Sequence, residues 1–170
     1  GHLSSMMELS WLYLEDKKGL GDLAKGRAWL DKAAATGEEW VLAEQKKFKE
    51  RFAGAGSWEL ALGMEASNKD RFEESGKFWE QAAALGEAQA MLYLGHLHSG
   101  VPMFADEDVV KDLPQARIWY RKAAEAGSVR GMLFYGEYLR DAVGGAPDLA
   151  QARQWFDRAL AATTDEDEQK

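Results

Sequence analysis

The sequence predicts an all-α solenoid of about four helix–turn–helix repeats with one extra helix. Three observations predict it. Strand formers are scarce: Val, Ile and Thr total ten residues, whereas Ala alone numbers 27, and Ala has the highest helix propensity while β-branched residues favour strands. Four fifteen-residue segments align without gaps: LAKGRAWLDKAAATG (23–37), FEESGKFWEQAAALG (72–86), LPQARIWYRKAAEAG (113–127) and LAQARQWFDRALAAT (149–163). A fainter segment precedes each of them, and recurrence at such a period is the signature of stacked helix pairs.

Each aromatic-rich segment reads as one helix, here termed helix B. Its columns hold Leu23, Phe72, Leu113 and Leu149, then the small residues Gly26, Ser75, Ala116 and Ala152. Next come Trp29, Phe78, Trp119 and Trp155, followed by Leu30, Trp79, Tyr120 and Phe156, and then Ala33, Ala82, Ala123 and Ala159. Offsets of three, six, seven and ten residues trace one helical face. Small residues let a neighbouring helix approach and the aromatic pair fills the space beside it. On this reading Trp29, Trp79, Trp119 and Trp155 belong to the core. Asp22, Asp112 and Asp148 stand where N-caps belong, and the second segment has Asp70-Arg71 there, a shifted or weaker cap. Gly37, Gly86 and Gly127 fit the left-handed position after a helix, which the fourth segment fills with Thr163.

The preceding segments read MMELSWLYL (6–14), ELALGMEAS (59–67), MLYLGHLHS (91–99) and MLFYGEYLR (132–140). They form helix A, centred on Leu9-Ser10, Leu62-Gly63, Leu94-Gly95 and Tyr135-Gly136. Between the first and second repeats, residues 38–53 predict the extra helix, with Val41, Gln45, Phe48 and Phe52 on one face and Trp40 beside it. The repeats span 6–37, 54–86, 87–127 and 128–162 within one domain at 3–162. Residues 163–170, with Asp165-Glu166-Asp167-Glu168 and no apolar residue, read as a frayed or disordered acidic tail. The loop at 100–112 carries Met103, Phe104 and Asp106-Glu107-Asp108 and is five residues longer than its counterpart in the fourth repeat; insertions in repeat arrays often map to the binding face.

Composition narrows the function classes. A net charge of −8 and a pI near 5.0 disfavour nucleic acid and anionic lipid as main ligands. No Cys is present, which excludes disulfide scaffolds and thiolate metal sites. No apolar run approaches the ~20 residues of a membrane span. His96 and His98 lie two apart on a helix and point to different faces, so no metal site and no cofactor is expected. Asp106-Glu107-Asp108 lacks the Gly-bearing turn and oxygen count of a calcium loop and reads as solvated. Lys46, Lys47, Lys49 and Arg51 oppose the apolar face of the extra helix and read as a solvated face, with contact to an acidic partner as the alternative. No phosphate loop, nucleophile elbow or metalloprotease motif occurs, so the chain reads as a non-enzyme.

The pattern Leu-Gly, a Gly-containing loop, then Gln-Ala-x-x-Trp-Tyr-x-Lys-Ala-Ala-x-x-Gly resembles the bacterial Sel1-like repeat family, which is related to tetratricopeptide repeats. Residues 88–127 carry it best, 128–162 well and 6–37 fairly. The second unit departs: Gly63 to Phe78 spans 15 residues, against 24 and 19 in the next two units, nearer a plain tetratricopeptide repeat. The resemblance implies a module that binds another protein or peptide on a concave surface lined by helix A. Carried over around each centre, that surface comprises Trp11 and Leu14; Ser57, Met64 and Ser67; Gln89, His96 and Ser99; and Arg130, Glu137 and Arg140. Leu60, Leu92 and Leu133 form its floor. Trp11 shares its column with Met64, His96 and Glu137, and a column of changing character reads as surface, whereas His98 falls in a half-buried column. An apolar end and a charged end suit a ligand with an apolar anchor and a carboxylate.

Two further expectations follow from the resemblance. Some bacterial Sel1-like proteins are immunity proteins that neutralise secreted toxic effectors such as envelope lipases, and an acidic inhibitor suits a basic toxin. Cysteine-rich relatives linked to β-lactams suggest a hydrolase, but they need paired cysteines that this chain lacks. Gly1-His2 reads as a cloning remnant, and a removed signal peptide would favour the periplasm over the cytoplasm, the compartment otherwise staying open. Dimerisation through the terminal helices is also open.

Overall fold

The computed structural model describes residues 2–15, 21–103 and 111–168, with side chains to residue 163. Among the described residues it has nine helices: α1 (His2–Leu14), α2 (Leu23–Ala34), α3 (Glu39–Arg51), α4 (Ser57–Ser67), α5 (Phe72–Ala84), α6 (Ala88–Ser99), α7 (Leu113–Glu125), α8 (Val129–Arg140) and α9 (Leu149–Glu168). They pack as four sequential pairs, α1 on α2, α4 on α5, α6 on α7 and α8 on α9, and α5 and α7 each also pack against the helix that follows. The loop residues Phe104 and Asp106 to Asp108 lie outside the described residues.

The helix boundaries have local causes. Asp22, Asp112 and Asp148 each accept a hydrogen bond from the backbone N–H three residues on, at 2.8, 3.0 and 2.9 Å. At the start of α5 the capping position falls to Arg71, whose side chain makes no capping bond. Gly37, Gly86 and Gly127 follow α2, α5 and α7 at φ of 80°, 92° and 91°. Thr163 lacks that freedom. Its hydroxyl donates back to Leu160 O at 2.8 Å, and α9 continues to Glu168. The residues expected to form the acidic tail continue α9 as far as Glu168, in line with the absence at Thr163 of a residue suited to the left-handed turn.

Inside each pair the small residue of helix A receives the second large residue of helix B. A methyl group added at Gly63, Gly95 or Gly136 would lie 2.3, 2.4 or 2.5 Å from the rings of Trp79, Tyr120 and Phe156. Trp79 and Tyr120 are buried, each removing a full aromatic surface from water. The first residue of the aromatic pair sits differently. Trp29, Trp119 and Trp155 are only half-buried, and Lys32, Lys122 and Arg158 lie over their rings at 4.9, 4.0 and 4.7 Å. Of the four tryptophans expected in the core, Trp79 alone is enclosed there. The other three bury one face and offer the second to a cation one turn on.

The core is continuous only over the last three pairs. One cluster centres on Trp79, Ala82, Ala90 and Leu94, the next on Leu92, Tyr120, Tyr135 and Leu139, and Met91 packs against both. The first pair shares a separate cluster with α3, made by Met6, Met7, Leu30, Ala33 and the fully buried Val41. Phe48 and Phe52 of α3 then meet Trp58 of α4 edge-on, with centroids 5.7 and 5.1 Å apart, while Trp40 stays 46% exposed. Inserting α3 leaves α2 and α4 in sparse contact, where the other pairs abut closely.

Candidate functional site

The sparse junction between α2 and α4 opens a cleft of about 390 Å³, within the size range of ligand sites. Leu14, the last residue of α1, forms one apolar wall, and Leu60 and Met64 of α4 form the other, with Ser57 at the edge. Leu60 and Met64 are four apart and so share one stripe of α4. Tyr13 and Leu23 complete the apolar lining.

A polar rim fixes the geometry of this cleft. Glu65 reaches from α4 to the start of α2, where its Oε2 accepts from the Leu23 N–H at 2.9 Å. Its Oε1 lies 2.6 Å from Lys69 Nζ, and Lys69 also donates to the Gly21 carbonyl. Asp22 caps α2 and pairs with Lys25 at 2.9 Å. Burial pushes the Asp22 carboxyl up, but the Lys25 N–H and ammonium outweigh it and hold the carboxyl below its ordinary value. Sequence reasoning did not find Tyr13, Leu23, Asp22 or Glu65 here, because the cleft exists only through the displacement of α4 by α3. The capping signal at Asp22 marked the position without its place at the cleft.

The residues expected on the helix-A surface divide by unit. Leu14, Ser57, Leu60 and Met64 come together in the cleft. Trp11 is 42% exposed and lines a second cavity beside α3. Ser67 is 6% exposed and lies inside the array. In the third unit Gln89 and Ser99 are half-buried, whereas His96 is 3% exposed, against the surface position expected from its column. Leu92 is fully buried and Leu133 is exposed. In the fourth unit Arg130, Glu137 and Arg140 are exposed, and Arg140 grips Asp141 through Nε and Nη2, each at 2.7 Å.

His96 is buried because it belongs to a polar chain. Its Nδ1 lies 2.9 Å from Tyr120 Oη, which lies 3.1 Å from Ser99 Oγ, and Ser99 donates to the His96 carbonyl at 3.0 Å. One proton per group satisfies the set when neutral His96 donates from Nδ1 to Tyr120 and Tyr120 donates to Ser99. Burial, reinforced by Arg130, lowers the His96 pKa to about 4, and burial raises that of Tyr120. Ser99 bonds the backbone of His96 and not its ring, so the three do not form a nucleophile–base pair.

The basic run of α3 is largely engaged. Lys47 pairs with Glu44 at 2.7 Å, Lys46 with Glu50 at 3.8 Å, and Lys49 donates to Gln45 at 3.1 Å. Among the described residues, no group of three or more His, Cys, Asp or Glu could hold a metal ion, and no helix is long and apolar enough to cross a membrane.

Comparison with known proteins agrees with the packing. The chain is similar over 94% of its length to a Sel1 repeat protein from Oxalobacter formigenes, with a TM-score of 0.58 and 19% identity. It is similar over 95% to a protective antigen of uropathogenic Escherichia coli that displays an SLR fold, with a TM-score of 0.57 and 18% identity. The chain spans 58% and 38% of those two proteins. Cysteine rich protein B of Helicobacter pylori matches 69% of the chain, which covers 86% of that protein, with a TM-score of 0.54 and 18% identity. No curated protein sequence matches. The Sel1 repeat profile matches residues 3–37, 88–128 and 129–163, passing over α3 and the second unit. With well over half of its residues matched, the chain belongs to the Sel1 repeat family.

Proposed function

We propose that this chain is a non-enzymatic interaction module that docks a segment of a partner protein in the cleft between α1, α2 and α4. Sel1 repeats typically mediate protein interactions. The observation that carries the reading is the convergence of Leu14, Leu60 and Met64 on an open cleft of about 390 Å³. A buried apolar anchor surrounded by a fixed polar rim is the arrangement from which interfaces draw most of their energy. The partner's anchor is an apolar side chain. Trp11, Gln89, Arg130, Glu137 and Arg140 are the outlying positions a longer partner segment would reach, with Arg140 and Glu137 meeting its charged groups.

The test compares partner capture from native lysate by the wild type and by Met64→Glu, with Arg140→Glu alongside. Met64 is half-buried at the cleft and also packs against the Trp79 cluster, so a glutamate there places a charge in the anchor site, and circular dichroism must show that the variant keeps its fold. A partner lost by a folded Met64→Glu supports the cleft, and one retained by it overturns this reading. Capture of a toxic effector would give the module an immunity role, which the net charge of −8 would suit against a basic toxin.

A further inference from the structure

The last helix breaks the column rule of the inner ones. Ala34, Ala83 and Ala124 share a helix-B column that is small and buried. A methyl group added at Gly131 of α8 would lie 2.7 Å from Ala123 Cβ and 2.8 Å from the Ala124 nitrogen, so α7 and the helix after it meet almost backbone to backbone there. In α9 the same column holds Leu160, which is 66% exposed. A leucine at that position leaves no room for a helix at such a distance, so α9 does not extend the stack as the inner pairs do. Leu149 is as exposed as Leu160, and Phe156 is half-buried where Trp79 and Tyr120, in its column, are enclosed. Leu149, Arg153, Phe156 and Leu160 follow at steps of four, three and four and so run down one face of α9, with Asp157 at its edge. An apolar stripe on the end of a helix array marks an interaction surface.

We infer that this face pairs with α9 of a second copy of the chain, antiparallel about a two-fold axis beside Trp155. The stripe is complementary to itself in that arrangement and in no parallel one. Leu149 stands six residues before Trp155 and Leu160 five after it, while Arg153 and Asp157 stand two before and two after. The axis therefore sets each Leu149 against the other copy's Leu160, and each Arg153 against the other copy's Asp157. A parallel copy would oppose arginine to arginine and aspartate to aspartate. Within one chain Arg153 and Asp157 meet only at 4.0 Å with both side chains exposed, so exchanging partners between copies gives up little. One helix pair is smaller than the ~800 Å² per partner of a standard interface, and the dimer is accordingly weak. The surface is separate from the cleft, to which α9 contributes no residue.

The test is sedimentation equilibrium of the whole chain from about 5 to 500 µM, a range that spans a weak dimer. The average mass is expected to rise from the 18.9 kDa of one chain toward twice that value and to stop there. Leu160→Lys, at an exposed position that leaves the fold intact by circular dichroism, stays monomeric throughout. Arg153→Asp and Asp157→Arg each weaken the dimer roughly fivefold, since two exposed ion pairs are lost in either variant. Mixing these two variants restores association, because each then supplies the charge that the other needs. A wild type that stays monomeric at the highest concentration, a mass that climbs beyond two chains, a folded Leu160→Lys that dimerises as the wild type does, or a mixture no stronger than its components overturns the assignment. Met64→Glu leaves the association unchanged, which separates failure of this interface from failure of the cleft.

Discussion

Substituting Gly95 by Ala tests the packing rule on which the array rests. The added methyl would lie 2.4 Å from Tyr120 Cε1 and 2.5 Å from Cδ1, where ordinary contact begins at 3.4 Å. The ring must withdraw by about 1 Å. It has little room to do so, because its hydroxyl is bound to His96 and Ser99, it stacks on Phe134 at 5.1 Å, and it meets Tyr138 edge-on at 5.0 Å. Overpacking a rigid core costs about 1–3 kcal/mol, and disturbing a buried hydrogen bond adds about 1 kcal/mol. Replacing a mid-helix glycine by alanine returns about 1 kcal/mol. The expected net loss is about 2 kcal/mol, read as a lower urea midpoint with an unchanged slope by circular dichroism. Gly76→Ala is the control, since its methyl meets only the flexible tip of Leu97 at 3.1 Å; it should be neutral or stabilising. A Gly95→Ala protein as stable as the wild type would refute the argument that ring-against-glycine contact sets the spacing of the pairs.

The pKa of His96 falls on folding, from 6.5 to about 4, so the unfolded chain takes up this proton first. Stability should therefore decline as pH drops from about 6.5 to about 4, by at most about 3 kcal/mol, and the pH dependence of thermal unfolding should flatten over that window in His96→Gln. Asp112→Ala should cost about 1 kcal/mol by removing the α7 cap, measured by urea denaturation. Arg71→Ser should gain less than that, since a new cap on α5 is offset by loss of the exposed pair between Arg71 and Glu74. Thr163→Gly should end α9 one turn or more early, seen as a smaller helical signal at 222 nm and faster amide exchange beyond residue 163.

The repeat columns were legible because helix pairs reuse one local solution. Gly26, Ser75, Ala116 and Ala152 are all buried as their sizes require, and the three aspartate caps sit where the sequence places them. Column arithmetic was less able to assign exposure. His96 shares a column with Trp11 and Glu137, both exposed, yet is buried. Its neighbours in space are Tyr120 and Phe134, from two other helices, and no pattern within one segment records them. Likewise the half-exposure of Trp29, Trp119 and Trp155 depends on whether a following helix covers their outer face.

The sequence by itself determined the helices, their three aspartate caps, their glycine stops and the small residues that mark close packing in helix A and helix B. Those features depend on residues close along the chain or on a size rule repeated at a constant spacing. Only the tertiary structure decided that α3 would hold α2 away from α4, opening a cleft between Leu14 and Met64 and leaving Ser10 at the wall of a second cavity. Both openings depend on how far apart whole helices come to rest, which is set by the summed packing of Val41, Phe48, Phe52 and Trp58 against their neighbours rather than by any one segment.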